Sequence, residues 1–82
     1  MEYTTKDGKS LGEIQRTLYR KAFIARQNRM DAQSMEKYSE KSRLEKIHYF
    51  TRENALVEVI DEAGEREEFE RYWKWRNGEI KT

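Results

Sequence analysis

The sequence predicts an α+β fold that is mostly helical. One or two N-terminal helices (about 10–31 and 34–50) are followed by a small C-terminal β-hairpin or meander (about 55–82). Three observations carry this expectation. From Glu13 to Ala63 the chain has no glycine and no proline, so nothing forces a helix to stop. Apolar residues in the first third recur at helical spacing. "NG" at Asn77–Gly78 follows an alternating aromatic run, a strong hairpin signal. An all-α small bundle is the close alternative.

Residues 1–9 are polar, with Gly8 in a turn-like "KDGK", and are expected as a flexible N-terminal tail. Residues 10–82 then form a single small domain. "SLGE" gives Ser10 and Glu13 the spacing of a capping box, with each side chain bonding the other's backbone N–H. In the helix that follows, Leu11, Ile14, Leu18, Ala22 and Ala25 fall within about 80° of one another. They make a narrow core stripe. The next helix carries Met35, Tyr38, Leu44, Ile47 and Phe50 as its apolar positions, and the break before it is expected near Asp31–Ser34. A long coiled coil is excluded, because Lys21, Asn28, Ser39 and Lys46 would land on its seam.

The C-terminal third has both periods. As strands, Val57 and Val59 share a face, "DEAG" turns at Gly64, and Phe69, Trp73 and Trp75 share another. As helices, Glu67→Arg71 and Glu70→Lys74 are well-oriented i,i+4 pairs and Gly78 is a stop. Trp75 favours the hairpin. A helix sets it about 200° from Trp73 and exposes one indole, whereas a strand buries both.

Composition bounds the function. Leu, Ile, Val and Phe make only 14 of 82 residues, below the roughly 20 % of a comfortable globule. Charged residues are 40 % of the chain, yet the net charge is only +1, so the high-net-charge signature of disorder is not met. A thin core in a short chain points to self-association or completion by a partner. There is no cysteine, and the single histidine, His48, sits in the apolar run "KIHYF". That excludes thiolate metal sites and thiol catalysis, and makes His48 a structural residue. Neighbouring carboxylates such as Glu67 and Glu68 read as a solvated acidic face, since catalytic pairs must converge across a cleft. "DEAGE" lacks the spacing of a calcium loop. No enzyme, metal, cofactor or small-molecule substrate is expected. No apolar segment is long enough to span a membrane, and the expected location is cytoplasmic.

Charge is unevenly laid out. Residues 9–29 carry +5, and residues 53–70 carry −7. The halves are expected to attract one another, within the fold or between copies, or to present opposite fields to a partner.

One arc of the first helix is the candidate site. Arg16, Tyr19, Arg20, Phe23, Arg26, Gln27 and Met30 fill about 120° opposite the core stripe. Large apolar groups among arginines are what the centres of protein interfaces select. The plain structural alternative is that Tyr19 and Phe23 are core and the arginine stems run past them. "RYWKWR" (71–76) raises the same choice between a stacking surface and a core with a wet face. The expected function is a small non-enzymatic interaction module, a regulator or inhibitor that masks a surface of another protein or of a copy of itself as a homodimer. The acidic residues Glu62, Glu65, Glu67 and Glu68 supply a second, complementary surface. The alternative is a nucleic-acid binder with the basic helix 16–29 on phosphates. Its weakness is the near-neutral net charge.

Overall fold

The computed structural model describes residues 2–80. Met1, of the expected tail, and Lys81 and Thr82, of the expected last strand, lie outside the described residues. Three helices follow in order: α1 (Glu13–Met35), α2 (Glu40–Glu62) and α3 (Arg66–Arg76). Among the described residues there is no strand and no sheet, only an isolated antiparallel bridge between Thr4 and Ser10. The expected C-terminal β-hairpin is therefore corrected to the second half of α2 plus α3, and the architecture is a small all-α bundle.

Each boundary has a local cause. Gly12, in extended conformation, precedes α1, and its N–H donates to Gln15 Oε1 at 3.3 Å. Ser10 does not cap: α1 starts at Glu13 with Gly12 as its cap, and Ser10 lies in the backbone bridge to Thr4. Ser34 does not break the helix either. Its hydroxyl donates back to the Asp31 carbonyl at 2.7 Å, a bond a helix tolerates. The break falls at Ser39, whose hydroxyl accepts from the Ser42 N–H at 3.2 Å and caps α2.

The two glycines read as hairpin turns are helix stops. Gly64 lies at φ +73°, and the Glu65 N–H donates to the Ile60 carbonyl at 3.0 Å while the Gly64 N–H donates to Asp61 at 3.0 Å. That is a Schellman closure of α2. Gly78, at φ +75°, closes α3 the same way, with Glu79 N–H on the Lys74 carbonyl at 2.9 Å and Gly78 N–H on Trp75 at 3.0 Å. A left-handed glycine serves a hairpin and a helix end equally well.

α1 and α2 form an antiparallel hairpin, packed closely through the small, buried Ala22, Ala25 and Ala32. α3 returns alongside α1. Its cap residue Glu65 bonds Tyr19, and Asn77 at its far end accepts from Gln27 at 3.2 Å. The core lies between these elements: Tyr19, Phe23, Val57, Ile60, Phe69 and Tyr72, closed by Tyr3 and Leu11 from the N-terminal segment. Tyr19, Ile60 and Phe69 are fully buried, each worth about 1.5–3 kcal/mol of transfer free energy.

Residues 2–9, expected as part of a flexible tail, pack as an arm against α3. The Tyr3 ring meets Tyr72 and Trp75 edge-on, both at 5.4 Å between centroids. Arg71 Nη1 donates to the Thr4 carbonyl at 2.7 Å and to the Tyr3 hydroxyl at 3.2 Å. This arm resolves the problem of Trp75. In α3, Trp73 lies against Phe23 of α1, 5.0 Å between centroids, while Trp75 points elsewhere and is covered by Tyr3. Both indoles are half-buried in a helix because a distant segment supplies the second cover.

Candidate functional site

The candidate face of α1 divides into three parts. Tyr19 and Phe23 are core, at 0 % and 8 % exposure, so this fold does not present them to a partner. The structural alternative weighed for them in the sequence is the one realised. Their rings pack on α3, Tyr19 edge-on to Phe69 at 5.5 Å. The Tyr19 hydroxyl donates to Glu65 Oε1 at 2.8 Å. Burial and that carboxylate push its ionisation well above the ordinary tyrosine range.

Arg26 is the second part, an internal tie. Its Nε donates to Glu53 Oε2 at 2.8 Å and its Nη2 to Glu70 Oε1 at 2.8 Å, so it joins all three helices. Its guanidinium also lies over Trp73 at 4.8 Å and Phe69 at 5.1 Å. Glu53, buried at 6 % exposure, accepts as well from Arg29 Nε at 2.6 Å. Burial alone would raise the Glu53 carboxyl, but the hydrogen bonds and charges of Arg29 and Arg26 outweigh it and hold Glu53 below the usual glutamate range. For Arg26 burial acts downward, and the bonds to Glu70 and Glu53 more than offset it. The attraction expected between the basic and acidic stretches is thus realised within one chain at these pairs.

Arg16, Arg20, Gln27 and Met30 remain. Arg16 and Arg20 are exposed, Gln27 is half-buried on Asn77, and Met30 is 45 % exposed. The acidic set divides too. Glu62 and Glu67 are exposed, while Glu65 bonds Gln15 and Tyr19, and Glu68 accepts from the Tyr3 hydroxyl at 3.0 Å. Ile14, expected in the core stripe, is 86 % exposed.

The large surface feature lies elsewhere. α3 is 11 residues long against 23 in each of the other two helices, or roughly 16 Å against 34 Å. Among the described residues, every side-chain hydrogen bond from α1 to α3 and its caps falls between Gln15 and Gln27. Beyond that level the α1–α2 hairpin continues without a third layer. There Met35, Tyr38, Leu44, Ile47 and Phe50 are 50 %, 78 %, 57 %, 51 % and 50 % exposed. Together with Met30 they crowd large apolar groups onto one end of the molecule. The sequence contains a signal for this. With α2 drawn as one continuous helix, the Leu44–Ile47–Phe50 face is turned about 110° from the Glu53–Val57–Ile60 face, so one helix cannot bury both against the same neighbour. Divided between a helix and a strand, the same two faces carry no conflict.

Among the described residues no group of three His, Cys, Asp or Glu side chains is placed to hold a metal ion, and no helix is long and apolar enough to cross a membrane. No family model, curated protein or solved structure matches the chain.

Proposed function

We propose that this chain is a small non-enzymatic interaction module that masks a surface of a partner protein through the distal half of its α1–α2 hairpin. One observation carries the proposal: the half of the hairpin that α3 leaves uncovered holds Leu44, Ile47 and Phe50 at 50 % exposure or more. Large apolar groups gathered at one end of a small monomer mark an interaction surface. Arginines and lysines alternate with them, as at Arg43 and Lys46, which suits an apolar centre with a polar rim.

The nucleic-acid reading has less support. Arg26 and Arg29, two of the cations it relied on, are spent on Glu53 and Glu70 inside the fold. A phosphate contact there would have to break a buried ion pair.

The test is capture from host lysate, with nuclease treatment, by the wild-type chain and by the Leu44→Asp/Ile47→Asp variant. Both side chains are more than half exposed, so far-UV circular dichroism should not change. One stoichiometric protein held by the wild type and lost by the variant is the expected result. Equal capture by both, or partners lost on nuclease treatment, would overturn the proposal. Sedimentation of the purified chain separates a foreign partner from a second copy.

A further inference from the structure

At the opposite end of α1 from the bare hairpin tip, a cavity of about 230 Å³ opens between the arm, α1 and the end of α3. Arg16, Arg20 and Arg76 line it, together with Tyr72, Trp75 and Glu2. Three guanidinium groups around one small cavity repel one another, and the arrangement gains from an anion between them. The fold supplies little of that charge. Among the described residues neither Arg20 nor Arg76 has a carboxylate within salt-bridge distance, and Arg16 has only Glu2, at 3.1 Å in an exposed pair. Arg76 is held in place from below. Its guanidinium lies over Phe23 at 4.6 Å, and its Nη1 donates to the Tyr72 hydroxyl at 3.4 Å.

We propose that this cavity binds a phosphate monoester carried on a planar ring, with Arg16, Arg20 and Arg76 around the phosphate, the ring against Trp75, and Glu2 as the internal carboxylate it displaces. Guanidinium forks match phosphate oxygens in geometry as well as charge. The aromatic wall offers an edge or face to a second ring. The size fits: the cavity equals about eight waters at roughly 30 Å³ each, room for one phosphate and one ring. The arginines border one small cavity, so they suit a single anionic group better than a tracked nucleic-acid backbone.

The test is calorimetric titration of the full chain with phenyl phosphate and, separately, with inorganic phosphate. Wild type, Glu2→Gln and Arg20→Gln are compared; both positions are exposed, and circular dichroism checks that the fold is kept. Saturable binding of phenyl phosphate is expected. It should tighten in Glu2→Gln, where the competing carboxylate is gone, and weaken roughly tenfold in Arg20→Gln, which loses a charge-assisted bond. Inorganic phosphate should bind more weakly than phenyl phosphate. Absence of saturable binding in Glu2→Gln, or unchanged affinity in Arg20→Gln, would overturn the site. Equal affinity for the two ligands would overturn its ring half.

Discussion

Arg26 and Glu53 form a buried ion pair, 2.8 Å between Nε and Oε2, with side-chain exposures of 11 % and 8 %. The pair connects the middle of α1 to the middle of α2, and Glu70 extends it to α3. In a thin-cored chain this network ties the three helices together beside the apolar core.

Breaking the pair from the arginine side should be costly. Arg26→Met keeps most of the aliphatic stem but leaves Glu53 and Glu70 short of a partner. The expected loss is about 3 kcal/mol, the lower end for removing one member of a buried pair. Chemical denaturation measures it. A domain of this size holds only about 4–12 kcal/mol in all, so the variant should lose roughly a quarter to three quarters of its stability.

Glu53 also sets the acid limb of stability. Its carboxyl lies below the usual glutamate range in the folded chain. A depressed acid is more protonated in the unfolded state, so the stability it confers is present above the ordinary value near 4.3 and is lost as pH falls through the folded value. Urea midpoints between pH 6 and 3 should fall steeply for the wild type. Glu53→Gln should be less stable at neutral pH and flatter over that range.

Tyr19 acts at the other extreme. Its ionisation is pushed upward by burial and by Glu65. A raised tyrosine favours the folded state below about pH 10, and that contribution disappears as pH climbs further. Absorbance titration should find that Tyr19 ionises only as the chain unfolds. In Tyr19→Phe that step should be missing, at a cost of about 1 kcal/mol for the lost hydrogen bond.

The arm should behave as part of the domain. Tyr3 is buried at 5 % exposure between Tyr72 and Trp75. Tyr3→Ala is expected to cost about 3 kcal/mol, as for other buried aromatics, and to shift tryptophan emission to the red as Trp75 meets water. An arm that merely hangs beside the domain would leave both readouts unchanged.

How far the fold was legible follows from which residues decide each element. The uninterrupted run after Gly12 announces helix, and α1 is there. Its end is not legible, because Ser34 and Ser39 look alike in sequence, and only backbone geometry separates a hydroxyl bonding backward from one capping forward. The C-terminal third is ambiguous in sequence for a longer-range reason. Trp75 looks stranded on a helix until Tyr3, far away in sequence, is seen to cover it. Gly64 and Gly78 read as hairpin turns because a left-handed glycine suits a hairpin and a helix end equally, and here each ends a helix. The candidate face shows the same limit. Arginine and aromatic residues at helical spacing describe a docking face and a core with an internal ion pair equally well, and the Arg26 partners on α2 and α3 decide between them.

The most direct measurement of the central claim is hydrogen exchange, on the chain alone and on the chain bound to its captured partner. The bare half of the hairpin has the least apolar cover, so in the free chain residues 30–50 should exchange faster than the Tyr19–Ile60–Phe69 region. On binding, protection should rise in residues 30–50 and stay constant around Arg16–Gln27. Protection that rises only around Arg16–Gln27, with residues 30–50 unaffected, would contradict the claim and place the interface on the opposite end of the molecule.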